Sequence, residues 1–256
     1  MSTLVLLLFT GLGLGALYFL VAAGLSLIYG LMGVLNFAHG AFLTLGAFTG
    51  WEIARRTGSD NWATFLLSLV IGAAAGAAFA AFTEFVLIRR LYQRHIEQVL
   101  VTVGLSLAAV ALFDGIWGTD PVFITGPAWF KDTTDILGAR IPNDRFICII
   151  AALLVLLALV FFLKKTRYGM IIRAGVENRS MVTALGIDVR KAFTLVFTIG
   201  GAAAGLGGVL ASHYFGYVSP MLGGSLLIFA FIVTVIGGLG SLTGAAIAAV
   251  AVAVLP

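Results

Sequence analysis

Long apolar runs broken by short clusters of charge set the pattern of this chain. Runs near 3–28, 32–51, 63–87, 98–117, 146–163, 193–212 and 225–240 carry little or no charge, and an eighth covers 243–256. About 20 such residues cross the hydrocarbon core of a bilayer as a helix. The pattern therefore predicts an all-α, polytopic transmembrane helical bundle of about eight spans, the last incomplete. Transmembrane strands would alternate polar and apolar positions, and these runs do not. The first run lacks a basic leader and is too long for a cleaved signal peptide. We read 1–256 as a single transmembrane domain.

The charges set its orientation. Lys164, Lys165, Arg167, Arg173, Arg179, Arg190 and Lys191 supply seven of the fifteen basic residues within 164–191, against Glu177 and Asp188. Basic loops stay in the cytoplasm, so this loop is placed there. The segment 114–145 has five acids and three bases and falls outside. Arg89, Arg90 and Arg94 then lie inside, in agreement. Counting back puts the N-terminus outside, unless a broken helix within 3–51 reverses it.

Composition narrows the function classes. The chain is 61% apolar and 10% charged, with mean hydropathy +1.12, whereas soluble domains carry about 25% charged residues. The net charge of +4 reports topology, and no nucleic-acid partner is implied. Cys148 is the single cysteine, so no disulfide framework exists. Gly11–Gly15 lacks the dinucleotide spacing, and GGLGSLTG at 237–244 lacks the lysine of a phosphate loop. No metal cluster or nucleophile set can be assembled. The chain is expected to be no enzyme, to have no ATPase site, and to hold no cofactor.

Several features remain. Gly11/Gly15, Gly72/Gly76, Gly201/Gly205 and Gly240/Gly244 each place two glycines on one helix face, for close backbone packing. Asn36 and His39 stand in the apolar stretch LMGVLNFAHGAFLTLG, between Gly33 and Gly40. Polar groups at membrane depth line cavities or bind a neighbouring helix, and glycines permit a break. Glu84 lies close enough to Arg89 to snorkel to the interface. Within the basic loop, Glu177–Leu185 is expected to be a short helix ended by Gly186, with Ala174, Met181, Ala184 and Leu185 as its apolar face. Such a helix docks a soluble partner or lies on the membrane surface. A weak internal echo pairs LMGVL at 31–35 with LGGVL at 206–210.

The stretch RAGVENRSMVTALGIDVRKAFTLVFTIGGAAAGLGGVLAS resembles the coupling region of bacterial ABC importer permeases. GLSLIYGLMGVLNFAHGAFLTLGAF and FIVTVIGGLGSLTGAAIA resemble blocks of the branched-chain amino-acid permease family, in the expected order. The resemblance implies a multi-pass protein of the bacterial inner membrane, in an ABC importer permease fold. Its implied partners are a second permease subunit, homologous or identical, two cytoplasmic ATPases carrying ATP and Mg, an external substrate-binding protein, and membrane lipid. Coupling to the ATPases would fall on Arg173, Glu177, Asn178, Met181, Ala184, Leu185 and Gly186. The translocation path would involve Asn36, Phe37, His39 and Gly40. The expected cargo is a branched-chain or related amino acid, with urea, short amides or other small solutes as alternatives. An ion-coupled secondary transporter would need acids at depth, where only Glu84 and Asp114 have a claim. Permeases of this kind continue past the equivalent of Pro256, which leaves the last span short.

Overall fold

A computed structural model describes residues 2–58, 61–92, 94–177, 181 and 188–254. The first apolar run forms α1, Ser2–Met32, with no proline or charge to interrupt it. Gly33 ends it in the left-handed conformation (φ 65°), and its N–H donates to the Tyr29 carbonyl at 2.7 Å. A glycine takes that conformation without a Cβ penalty.

The chain does not start the next helix at the foot of α1. Gly33–Ala38 is non-helical, and α2 begins at His39 and runs to Thr57. The His39 ring bonds the Val21 carbonyl, well up α1 from Met32. Eleven residues of helix span ~16 Å, a climb that six residues of extended chain can make. The segment is re-entrant, and α2 starts partway through the bundle.

α3 (Trp62–Val86) is capped by Asn61, whose side chain accepts from the Ala63 N–H at 3.0 Å. A 3-10 turn, Ile88–Leu91, leads into α4 (His95–Trp117). One end of the bundle then carries β1 (Val122–Phe123), the short α5 (Ala128–Lys131) and the antiparallel strands β2 (Thr133–Ile136) and β3 (Ala139–Pro142). The polar segment is thus shorter than expected, because Asp114 falls in the last turn of α4 and Asp144 opens α6. α6 (Asp144–Lys165) returns to the opposite, basic end, where α7 (Arg167–Glu177) lies.

α8 (Val189–Phe215) runs antiparallel to α1, with Gly200 beside Gly24 and Gly207 beside Leu20. It ends at Gly216 (φ 77°), and β4 (Tyr217–Val218) pairs with β1. The chain then descends to α9 (Leu222–Gly237), which starts against α2, with Gly223 touching Gly40. After a bend of 118°, α10 (Leu242–Val254) runs back along α1, with Gly15 beside Ala249 and Gly11 beside Val254. The pair α8–α9 thus repeats the break of α1–α2 in the opposite direction, the arrangement of inverted transporter repeats.

Each of the eight apolar runs contains a helix among its described residues, the second only from His39 onward, but five of the described helices are long and apolar enough to cross a membrane, six if the bent pair counts as one. α2 carries Glu52, Arg55 and Arg56, while α9 and α10 are short. α1 and α8 form the buried centre, whereas α4 and α6 leave most of their apolar surface exposed.

The glycine pairs divide. Gly72 and Gly76 meet Gly205 and Gly201, and Gly11 and Gly15 meet α10. Gly240 instead sits in the turn before α10 with φ 89°, against Gly30, so Gly240/Gly244 is not a helix-face pair. The LMGVL echo does not mark the repeat either. Residues 31–35 straddle the end of α1, whereas 206–210 lie inside α8. Nor does Glu84 snorkel: its side chain is fully buried against α8.

Candidate functional site

The break before α2 is built from its own polar residues. Asn36 is fully buried, and its Oδ1 accepts the Ala38 N–H at 3.0 Å, which holds the first turn of α2. Its backbone carbonyl accepts the His39 N–H at 3.3 Å. His39 is also fully buried, and Nε2 lies 3.1 Å from the Val21 carbonyl oxygen. A carbonyl only accepts, so Nε2 carries the proton, and in the neutral ring Nδ1 is the bare nitrogen. Phe37 donates its N–H to Thr102 Oγ1 in α4 at 3.2 Å and rests its ring on Phe231 of α9 at 4.9 Å.

Gly40 brings the two broken helices together. A Cβ there would stand 2.6 Å from the Gly223 carbonyl oxygen. Thr44 bridges the contact, donating to the Gly40 carbonyl at 3.1 Å and accepting the Gly223 N–H at 3.0 Å. Thr44 was missed in the sequence because one threonine in an apolar helix has no distinguishing pattern. Three buried polar atoms around this break have no protein partner: Ser26 Oγ, Asn36 Nδ2 and His39 Nδ1. Such atoms cost free energy unless water or a solute meets them.

The basic end holds the second group of candidate residues. Thr166 closes α6 and opens α7, its N–H donating to the Phe162 carbonyl at 3.3 Å and its hydroxyl accepting the Gly169 N–H at 3.0 Å. Gly169 packs onto the carbonyls of Phe162 and Leu163, which turns α7 back against α6. α7 is amphipathic: Ile172 is buried, while Arg167, Tyr168, Met170, Arg173 and Ala174 are exposed.

The helix expected at Glu177–Leu185 meets α7 only at Glu177, where α7 ends. Of the rest of that expected helix, only Met181 is among the described residues, and α7 is a separate helix that Thr166 caps and Gly169 folds back. Arg173 is exposed, with Nε 3.4 Å from the Gly169 carbonyl. Met181 is helical and exposed. Asn178, Ala184, Leu185 and Gly186 lie outside the described residues. Among the described residues, Asn36–Gly40 at the break before α2 and Arg173 at the basic end belong to separate parts of the bundle.

Residues 7–256 match the family described as the permease component of branched-chain amino acid transport systems. The chain is 30% identical over 251 residues to the high-affinity branched-chain amino acid transport system permease protein LivH of Salmonella typhimurium, covering 93% of this chain and 80% of that protein. It is 26% identical to LivM, a permease protein of the high-affinity branched-chain amino acid transport system in the same organism, over 91% of this chain and 59% of that one. It is also 29% identical to the fructose import permease protein FruF of Bifidobacterium longum, over 94% of this chain and 66% of that one. No solved structure matches it. With matched blocks reaching from α1 to α10 and several helices able to cross a membrane, the chain belongs to the branched-chain amino acid transport permease family, as a multi-pass inner-membrane permease component.

Proposed function

We propose that this permease forms the translocation path for branched-chain or related amino acids in an ATP-driven importer. The observation that carries the reading is the meeting of α2 and α9 inside the bundle, where Asn36 and His39 are buried with one polar atom each left unfilled. Transporters form substrate sites where helices break at depth, and an ammonium or carboxylate group passing this point would find both a bare acceptor and a free donor. Phe37 and Gly40 complete the passage, one as an apolar wall and the other as the small residue that lets the helices meet.

ATP and Mg belong in this reading to two cytoplasmic ATPase subunits, and an external binding protein delivers the cargo. A second permease subunit completes the path. That LivH and LivM are both named as permeases of one system, and both resemble this chain, favours a homologous partner over an identical one. The basic end is the cytoplasmic end, the hairpin end is external, and the chain has no ATPase site of its own. Arg173, Glu177, Asn178, Met181, Ala184, Leu185 and Gly186 engage the ATPases.

Uptake of labelled leucine by cells carrying the intact system tests the reading. Deleting 177–185 should abolish uptake while leaving the permease in the membrane, and surviving uptake would refute the coupling assignment. Transport by the permease in vesicles without any ATPase would refute the ATP-driven reading. A second cargo class is favoured by the likeness to FruF, so competition by sugars, urea and short amides belongs in the same assay.

A further inference from the structure

Glu84 lies in the last turn of α3 with its side chain fully buried. The Thr194 hydroxyl of α8 donates to its Oε2 at 2.7 Å, the Arg89 guanidinium reaches both oxygens at 3.4 Å, and the Tyr92 hydroxyl donates to Oε1. Arg89 also donates to Thr194 Oγ1 at 2.7 Å. One carboxylate thus ties α3, the turn after it and α8 together. Buried ionisable groups of membrane proteins are costly to keep and mark function.

The network has two outlets. Thr194 stands one turn into α8, just past the Asp188 side chain that caps the helix by accepting the Arg190 N–H at 3.1 Å. That point is where the chain leaves the basic loop. On the other side, Gln98 of α4 donates to the Leu91 carbonyl at 2.5 Å, and one turn further Thr102 holds the Phe37 N–H. The neighbouring Phe193 packs on Tyr92 at 5.5 Å between ring centres, and on Met32 at the end of α1. Hydrogen bonds and packing therefore run without a gap from the start of α8 to the re-entrant segment 33–38.

Coupling requires an element with two discrete arrangements. Thr194 provides one. Its single proton has two acceptors, Glu84 Oε2 at 2.7 Å and the Arg190 carbonyl of its own helix at 3.1 Å. If α8 moves, the hydroxyl can turn to its own helix without being orphaned, and Glu84 keeps Arg89 and Tyr92.

We infer that Glu84 is a positioning residue for transport, the junction through which movement of α8 beside the coupling loop reaches the segment Gly33–Ala38. The inference rests on the ATP-driven reading above, and its test separates the two. The assembled importer, reconstituted in vesicles with its ATPases and binding protein, is assayed for ATP hydrolysis and uptake together. Thr194→Val, isosteric but without the hydroxyl, should keep hydrolysis and lower uptake per ATP about ten-fold, as loss of a hydrogen bond to a charged group implies. Thr194→Ser should restore it, and the double variant Glu84→Gln, Thr194→Val should be no worse than the worse single one. Uptake per ATP unchanged in Thr194→Val, or a Thr194→Ser variant as defective as Val, would overturn the proposal. Should Glu84→Gln reach the membrane poorly, the Thr194 pair decides by itself. Failure of the unsubstituted importer to couple uptake to ATP would sink the parent reading instead.

Discussion

Gly40 and Gly223 meet backbone against backbone at the starts of α2 and α9, with Thr44 accepting the Gly223 N–H at 3.0 Å across the contact. Two helices that begin inside the bundle thus brace each other there, with Asn36 and His39 alongside.

Gly40→Ala should separate the two helices. The new methyl would lie 2.6 Å from a carbonyl oxygen and 2.8 Å from its carbon, backbone atoms that cannot rotate away. Overpacking of this kind costs ~1–3 kcal/mol. The expected result is a lower thermal midpoint in detergent together with loss of uptake, and an unchanged midpoint would show that the contact is slack.

Thr44→Val keeps the shape but leaves the Gly223 N–H buried without an acceptor. An unmet buried donor costs about 1–3 kcal/mol. Thermal unfolding of Thr44→Val and Thr44→Ser side by side separates hydroxyl from volume: only the valine variant should lose stability.

His39→Gln and His39→Leu distinguish chemistry from packing. His39 donates to the Val21 carbonyl, a bond that Gln can also make and Leu cannot. Leucine uptake at equal membrane levels should survive in part in His39→Gln and vanish in His39→Leu. Equal uptake by both would remove His39 from the translocation path.

At the basic end, Gly169→Ala drives a methyl into the Phe162 and Leu163 carbonyls and should tilt α7 away from α6. Co-purification of the ATPase subunits is the readout, expected to fall while the permease stays in the membrane. Gly104→Ala in α4 is the control, since nothing lies within 4 Å of the added carbon. Replacing a helical glycine there should leave uptake intact and raise stability by up to ~1 kcal/mol.

The helices were legible because lipid imposes a simple rule: every backbone polar group must be satisfied within its own segment. Runs without charge or proline therefore form helices over most of their length, and Gly33–Ala38 is the exception that folds inside the bundle. Their depth was not legible. LNFAHG reads as a polar interruption, yet only the bond from His39 to Val21 shows that α2 starts far from the end of α1. Nor could spacing place α9 beside α2, as Gly40 and Gly223 are joined by no local pattern.

Glu84 shows the same division. Five positions from Arg89 and near the end of an apolar run, it looks free to reach the interface. Thr194, 110 residues away, decides otherwise by packing α8 over it. The sequence by itself determined the membrane setting, the helical class, the basic loop and the family blocks, since hydropathy and charge act locally along the chain. The tertiary structure decided which helices are broken, where Asn36 and His39 sit, and that Glu84 is bound rather than solvated. Those depend on which surfaces meet, and long-range packing between glycine-rich helix faces carries no local trace.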